Sequence, residues 1–440
     1  MKKQAISVNT AWVRLRQSFA HLTTGGDFAL SLPGEARHNL HWFFFDGLYA
    51  SASDNIIATY FVLYFLVLGA TNAQIGFMSS LSSLSAALFL LLGALLVERL
   101  GRRKQIVLLG GGTISRLVII LWVLVPLVSL KGSALIFLVM GLSITRDAFA
   151  NLSWPAWMSL LADIVPLEGR GRYFGSRNFV MGVAGMVTVL LVGELITRAG
   201  KPLGYQLALG LAFLLGTIST YSYSRIRDPH GKRPPEVGAP LAFKEVISHL
   251  KAHPGFLALS GVAVVWNFSL NVAGPFFTPY LVQNLKATAT MVGITSIAST
   301  ISSLTLQRKL GELCDRWGPH RMMLVSGLLI PLVPFAWIFA REAWHVIPIN
   351  IMSGALWGAY NLAAFNYLLD LTPREQRARY SAIYQIVVTI ALAAGAAVGS
   401  LIVTRWGYVA IFLFSSLGRL TAATLFARFV RAPSPTPSKE

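Results

Sequence analysis

Long apolar runs separated by short charged stretches set the pattern of this chain. Residues 81–96, 106–130, 256–285 and 382–403 hold few or no charges. Each run approaches or exceeds the ~20 residues that a helix needs to cross hydrocarbon. Read from end to end, the pattern predicts twelve helices, at 42–68, 74–97, 105–129, 133–160, 173–197, 204–224, 256–285, 288–310, 320–340, 345–369, 380–403 and 408–429. Open strands cannot satisfy their backbone groups in lipid, so the prediction is an all-α membrane protein.

The polar punctuation between the runs repeats. Glu98-Arg99-Leu100-Gly101-Arg102-Arg103 returns as Asp315-Arg316-Trp317-Gly318-Pro319-His320, displaced by 217 positions (98 to 315). Asp163-Ile164-Val165-Pro166, with Arg170, Arg172 and Tyr173, returns as Asp370-Leu371-Thr372-Pro373, with Arg377, Arg379 and Tyr380, displaced by 207 (163 to 370). Two marks recurring in the same order mean two related halves joined head to tail, the sequence mark of a repeat-built transporter. We therefore expect two pseudo-symmetric six-helix bundles, at 41–225 and 255–430. They are flanked by a cytoplasmic N-terminal segment (1–40), a proline-rich linker (226–254) and a cytoplasmic tail (431–440). Residues 8–22 read either as a helix lying on the inner leaflet or as a poorly ordered tail, and 241–250 as a short helix within the linker.

Composition agrees with the membrane assignment. The chain is 55% hydrophobic and only 12% charged, with a mean hydropathy of +0.61; a soluble domain has roughly 25% charged residues. A net charge of +19 would suit a nucleic-acid partner, but its placement points elsewhere. Both termini and the even-numbered loops hold 28 Lys and Arg (Arg177 counted with its loop), the odd-numbered loops six, and Arg116, Arg146 and Arg419 lie inside helices. That bias predicts a multi-pass protein of the inner (plasma) membrane with both termini cytoplasmic, and no nucleic-acid partner. Cys314 is the sole cysteine, so an intramolecular disulfide is ruled out. No apolar core follows Met1-Lys2-Lys3, so a cleaved signal peptide is not expected.

At its two charged loops the chain resembles the major facilitator superfamily, whose signature reads G-x-x-x-D-R-x-G-R-R/K between the second and third helices. Gly311-Glu312-Leu313-Cys314-Asp315-Arg316-Trp317-Gly318 fits through its glycine and then departs at Pro319-His320-Arg321. The first copy keeps Arg99, Gly101, Arg102 and Arg103 but has Ala94 and Glu98 for the leading Gly and Asp. The resemblance implies alternating access by two bundles around a central cavity lined by the first, fourth, seventh and tenth helices. It also implies that a loop acid meets the partner bundle at a helix start. A conformational latch is therefore expected from Glu98, Arg99 and Arg102 with Arg377 and Arg379, and from Asp315 and Arg316 with Arg170 and Arg172. The competing reading is that these charges only mark loop ends and fix topology. The Gly-Pro motif of the superfamily's drug antiporters is absent from the fifth helix, which weighs against an antiporter of that type.

A carboxylate inside the bilayer is a functional candidate by default. Asp46, Asp54 and Asp147 lie within a predicted span, all in the first half, with Glu194 near an outer end. Asp54 shares a helix face with Gly47, Ala50, Ser51 and Ala58, and on the 217 offset its counterpart is Asn271, which cannot ionise. Asp54 is read as a proton-coupling or substrate-cation site, and Asp147 as a second proton-coupling candidate. The competing reading is a permanent ion pair with Arg116 or Arg146. Asp46, a turn inside the membrane, is read as structural or interfacial. Arg116 is either an anchor for an anionic substrate group or the counter-charge of an Asp.

Arg116 of the third helix, together with polar and aromatic stripes on the fourth, seventh and tenth, supplies the substrate-binding candidates: Arg116, Arg146, Asn151, Trp154, Asn267, Asn271, Trp357, Tyr360 and Asn361. Gly274-Pro275 and Pro279 permit a break in the seventh helix. Arg419 has no role that the sequence suggests. Gly110-Gly111-Gly112-Thr113 lacks the Lys-Ser/Thr of a phosphate loop, and all eight histidines fall in tails, loops or helix ends. No metal site, cofactor or catalytic set is expected. The reading is a monomeric secondary transporter of a small organic solute, partnered by the lipid bilayer, with protons as a candidate coupling ion. The alternatives are a lipid or lipid-linked glycan flippase and a non-transporting receptor or scaffold on the same fold.

Overall fold

The computed structural model describes Thr23 and residues 32–166, 169–229, 254–371 and 377–430; the side chains of 365, 366, 368–371 and 377–383 lie outside that description. The segment 8–22, the expected helix at 241–250 and the C-terminal tail lie outside the described residues.

All regular structure among the described residues is helical. In the first half the helices are α1 (Gly34–Val67), α2 (Asn72–Leu100), α3 (Arg103–Leu127), α4 (Ser133–Ile164), α5 (Arg170–Ala199) and α6 (Leu203–Ser224). In the second they are α7 (Gly255–Gln283), α8 (Ala289–Trp317), α9 (Pro319–Trp337) and α10 (Val346–Leu371), followed by one 53-residue helical run, Arg377–Phe429. That run is non-helical at Gly407 (φ 78°, ψ −172°), which divides it into α11 (377–406) and α12 (408–429). Twelve helical segments result. Ten described helices are long and apolar enough to cross a membrane, the merged run being one of them.

Contacts group the chain into two units, Met1–Phe61 with Leu88–Val237, and Val62–Ala87 with Gly238–Glu440. The second thus includes the hairpin between α1 and α2. There Ser400 donates to the Ala73 carbonyl at 3.0 Å, and the Tyr408 hydroxyl lies 2.7 Å from Gln283 Oε1 and 3.1 Å from Asn72 Oδ1.

The internal repeat is written into the backbone. Gly101 and Gly318, the glycines of the two charged motifs, both take positive φ (59° and 78°). Gly200 and Gly407 do the same (74° and 78°), and they are 207 positions apart, the displacement of the Asp163/Asp370 pair. A side chain with a Cβ rarely adopts this conformation, so glycine ends the helix at each of these turns. Close helix contact also falls on equivalent pairs. A Cβ on Gly93 of α2 would sit 2.1 Å from the Leu152 carbonyl oxygen of α4, and one on Gly354 of α10 would sit 2.0 Å from that of Ser299 on α8.

Arg103, at the start of α3, is 3% exposed and holds two carboxylates, Asp163 at 2.5 Å and Asp228 at 2.7 Å. It also donates to the Ser159 carbonyl and hydroxyl. One guanidinium therefore ties the end of α4 and the segment after α6 to the first charged motif. At the equivalent place in the second half, His320 Nε2 lies 2.8 Å from the Val430 carbonyl at the end of α12. Its ring also packs against Tyr367 of α10 at 5.5 Å, so the start of α9, α10 and the end of α12 meet there with no ion pair on that side chain among the described residues.

Two helices are interrupted near their polar residues. α3 contains a π turn, Leu108–Ile114, over the triple glycine; the freed Gly111 N–H donates to Ser153 Oγ at 2.7 Å. α7 gives way to a 3-10 turn at Gly274–Phe276, where the sequence placed the permitted break. α4 continues through Pro155.

Candidate functional site

The membrane-embedded charges of the first half gather around one cavity of about 450 Å³. The face expected on α1 lines it, through Gly47, Ala50, Ser51 and Asp54. From α3 come Gly111 and Gly112 of the π turn, and Ser115 and Arg116 directly after it. π turns recur at functional sites because they re-aim the residues that follow. From α4 come Arg146 and the stacked pair Trp154–Trp157, ring centroids 5.1 Å apart.

Asp54 is clasped between two guanidinium groups, Arg146 Nη2 at 3.3 Å and Arg116 Nη1 at 3.6 Å. The arginines are 17% and 12% exposed, whereas the Asp54 side chain is 54% exposed. Arg146 also holds Asp147 at 3.1 Å. Arg116 donates to Ser53 Oγ and lies so close over α6 that a Cβ on Gly216 would meet its Nε at 2.6 Å. The Nε atoms of both Arg116 and Arg146 are buried without a hydrogen-bond partner.

Two further charged groups are more deeply buried. Asp46 is 7% exposed and accepts a hydrogen bond from Ser219 Oγ at 2.7 Å. Arg177, 4% exposed, donates through Nε to the Phe43 carbonyl and lies over the Phe43 ring. The sequence tally counts Arg177 with a cytoplasmic loop; the structure corrects this, placing it in α5 with its guanidinium against Gly47. The missed signal is its place one turn inside the predicted span from Tyr173. The cavity region thus holds Asp46, Asp54 and Asp147 against Arg116, Arg146 and Arg177, three charges of each sign.

Other sequence candidates fall differently. Asn151 donates to the Asp147 carbonyl of its own helix. In the second half, Asn267 donates to the Ala263 carbonyl and Asn271 to that of Leu392 on α11. Trp266 stacks on Tyr360 at 4.6 Å, with Trp357 edge-on to both, and Asn361 is exposed. Of these, Trp357 lines a cavity of about 290 Å³ among α7, α8, α9, α10 and α12.

Among the expected latch residues, Arg170 donates to the Ala162 and Val165 carbonyls, closing the end of α4. Arg99, Arg102, Arg172, Asp315 and Arg316 are exposed and Glu98 is half-buried. The side chains of Arg377 and Arg379 lie outside the described residues.

The comparisons with known proteins bear on this geometry. A family model described as Major Facilitator Superfamily matches residues 43–272 and 262–440. The chain is 23% identical over 391 residues to the multi-drug resistance efflux pump PmrA of Streptococcus pneumoniae, covering 87% of this chain and 93% of that one. It is 26% identical over 378 residues to the minor myo-inositol transporter IolF of Bacillus subtilis, covering 81% of each. Among solved structures, the nucleoside transporter NupG aligns with a TM-score of 0.66 at 12% identity, over 89% of this chain and 99% of that one. A bacterial homologue of the human lysosomal transporter Spinster, inward-facing and unoccupied, gives 0.66 at 15% identity over 92% and 100%. These two likenesses show the fold. With two copies of the charged motif, an all-helical membrane architecture and a family match running nearly end to end, the chain belongs to the Major Facilitator Superfamily.

Proposed function

We propose that this protein is a secondary transporter that moves a small organic solute by alternating access, with Asp54 as its proton-coupling group. The supporting observation is the half-exposed Asp54 carboxylate, set in a cavity between two largely buried guanidinium groups. With Asp54 ionised, the charges around the cavity balance. Protonation leaves one unit of net positive charge on two largely buried guanidinium groups, an excess that solvent screening at the half-exposed Asp54 reduces but does not remove. A solute that supplies polar or anionic groups relieves that excess. Proton and solute occupancy are then linked, and the linkage is reciprocal. A cationic solute has to compete with Arg116 and Arg146 for one carboxylate, so neutral or anionic solutes fit better. Asp147, on the same Arg146, is the second coupling candidate.

The relatives named for drug efflux and for myo-inositol transport favour a soluble solute over lipid flipping or a receptor role. The efflux relatives also weaken the sequence argument against a drug antiporter, so import and export are both outcomes for the test. The positive-inside bias supports cytoplasmic termini. The repeated charged loops are part of the proposal as elements that set the balance between access states. Glu98→Lys is therefore expected to shift that balance in a cysteine-accessibility assay; unchanged accessibility and unchanged transport would remove the latch.

The test is a thermal-stability screen of the detergent-purified protein against sugars, polyols, nucleosides, organic acids, drugs and lipids at two pH values. A solute at a hundred times its dissociation constant adds about 2.7 kcal/mol to apparent stability. The expected result is a hit among soluble solutes that depends on pH in the wild type and loses that dependence in Asp54→Asn. Stabilisation by lipids alone would contradict the reading.

A further inference from the structure

Arg419 is an intramembrane cation with no acidic partner among the described residues. It lies in α12, is 3% exposed, and its one hydrogen bond among the described residues is a long one, Nη2 to the Leu270 carbonyl at 3.4 Å. Its Nε is buried with no partner. Arg419 lines the 290 Å³ cavity of the second half, and among the described residues no Asp or Glu shares that lining. The other polar groups there are uncharged, among them Thr278, Asn350 and Ser353, and Trp337 and Trp357 supply aromatic wall. In the first half, by contrast, Arg116 and Arg146 each face the Asp54 carboxylate.

Burying a lone cation costs several kcal/mol unless a counter-charge meets it. A guanidinium offers five donors in a planar fork that matches a carboxylate or phosphate bidentately. Here most of that fork is unused, in a cavity with neutral donors and aromatic walls beside it. We infer that the Arg419 cavity is a binding site for the anionic group, carboxylate or phosphate, of an aromatic or otherwise apolar organic solute. This rests on the reading of the chain as a solute transporter only in taking that anion as cargo; the site itself does not depend on it.

The test measures binding by tryptophan fluorescence and thermal shift on the full-length purified protein, with benzoate, phenyl phosphate, the neutral isostere benzamide, and chloride as probes. The expected result is binding of benzoate or phenyl phosphate to the wild type, with benzamide much weaker. Affinity should fall roughly ten- to hundredfold in Arg419→Gln, the loss of one charge-assisted pair, and in part in Arg419→Lys. Arg419→Gln removes an uncompensated charge, so the ligand-free variant should melt at or above the wild-type temperature. Three results would each overturn the inference: anion binding unaltered in Arg419→Gln, stabilisation by chloride alone, or no anion effect with a lowered melting temperature, which would make Arg419 a brace for the Leu270 carbonyl. If benzoate binds through Arg419 yet is not moved in proteoliposomes, the site stands and the cargo reading fails.

Discussion

Arg103→Gln lowers stability by about 3 kcal/mol, at the lower end of the 3–5 kcal/mol range for breaking a buried ion pair. The guanidinium is 3% exposed and is the shared counter-charge of Asp163 and Asp228. Its removal leaves two carboxylates against a low-dielectric wall. Asp163 is 28% exposed and Asp228 10%, so water relieves part of the cost, which sets the estimate at the lower end. Arg103→Lys recovers only part of the loss, because an ammonium is a point charge and cannot fork to two acids as a guanidinium does. The check is the melting temperature of the purified variants at neutral pH. Wild-type melting of Arg103→Gln would show that the junction does not brace the first half.

Asp54→Asn should separate two activities that the wild type couples. With one proton per solute, a gradient of one pH unit and no membrane potential, a neutral solute accumulates about tenfold. Asn is isosteric and keeps a hydrogen-bonding oxygen for Arg116 and Arg146, but it cannot carry the proton. Gradient-driven accumulation should therefore fall to onefold, while exchange of labelled for unlabelled solute at equal pH persists. The variant also leaves Arg116 and Arg146 short of one negative charge. Because Asp54 is 54% exposed, screening keeps that stability loss small, on the order of 1 kcal/mol. Loss of both accumulation and exchange would make Asp54 a binding residue instead.

The fold was legible because its signals are long and redundant. Twelve apolar runs and two repeated charged motifs cannot arise from one residue, and their helices follow the expected order. The glycines of those motifs were readable as turns. Gly200 and Gly407 carry a further mark of the repeat, Thr197-Arg198-Ala199-Gly200 against Thr404-Arg405-Trp406-Gly407, which lies apart from the four charged motifs that reveal the two halves. The clustering of Asp54 with Arg116 and Arg146 was legible as well, since few charges enter the bilayer and each must find a partner. What stayed hidden depends on helix rotation and length. Arg177 lies two turns inside α5, but only one turn inside the predicted span from Tyr173, where a tally by loops cannot separate it from the loop arginines. Asp228 sits in the linker by sequence, yet it is drawn to Arg103. Asn267 and Asn271 share a predicted polar stripe, but both spend their amides on helix carbonyls. The π turn over Gly110–Gly112 has no periodicity signal at all.

The central claim is that solute and proton move together through Asp54. The most direct measurement is proton movement driven by solute alone, in proteoliposomes loaded with a pH-sensitive dye, with no imposed pH gradient and the membrane potential clamped. Using the solute that the stability screen identifies, the wild type should shift internal pH as solute runs downhill, and Asp54→Asn should move the solute with no pH change. Downhill solute flux in the wild type with internal pH unaltered would contradict the account.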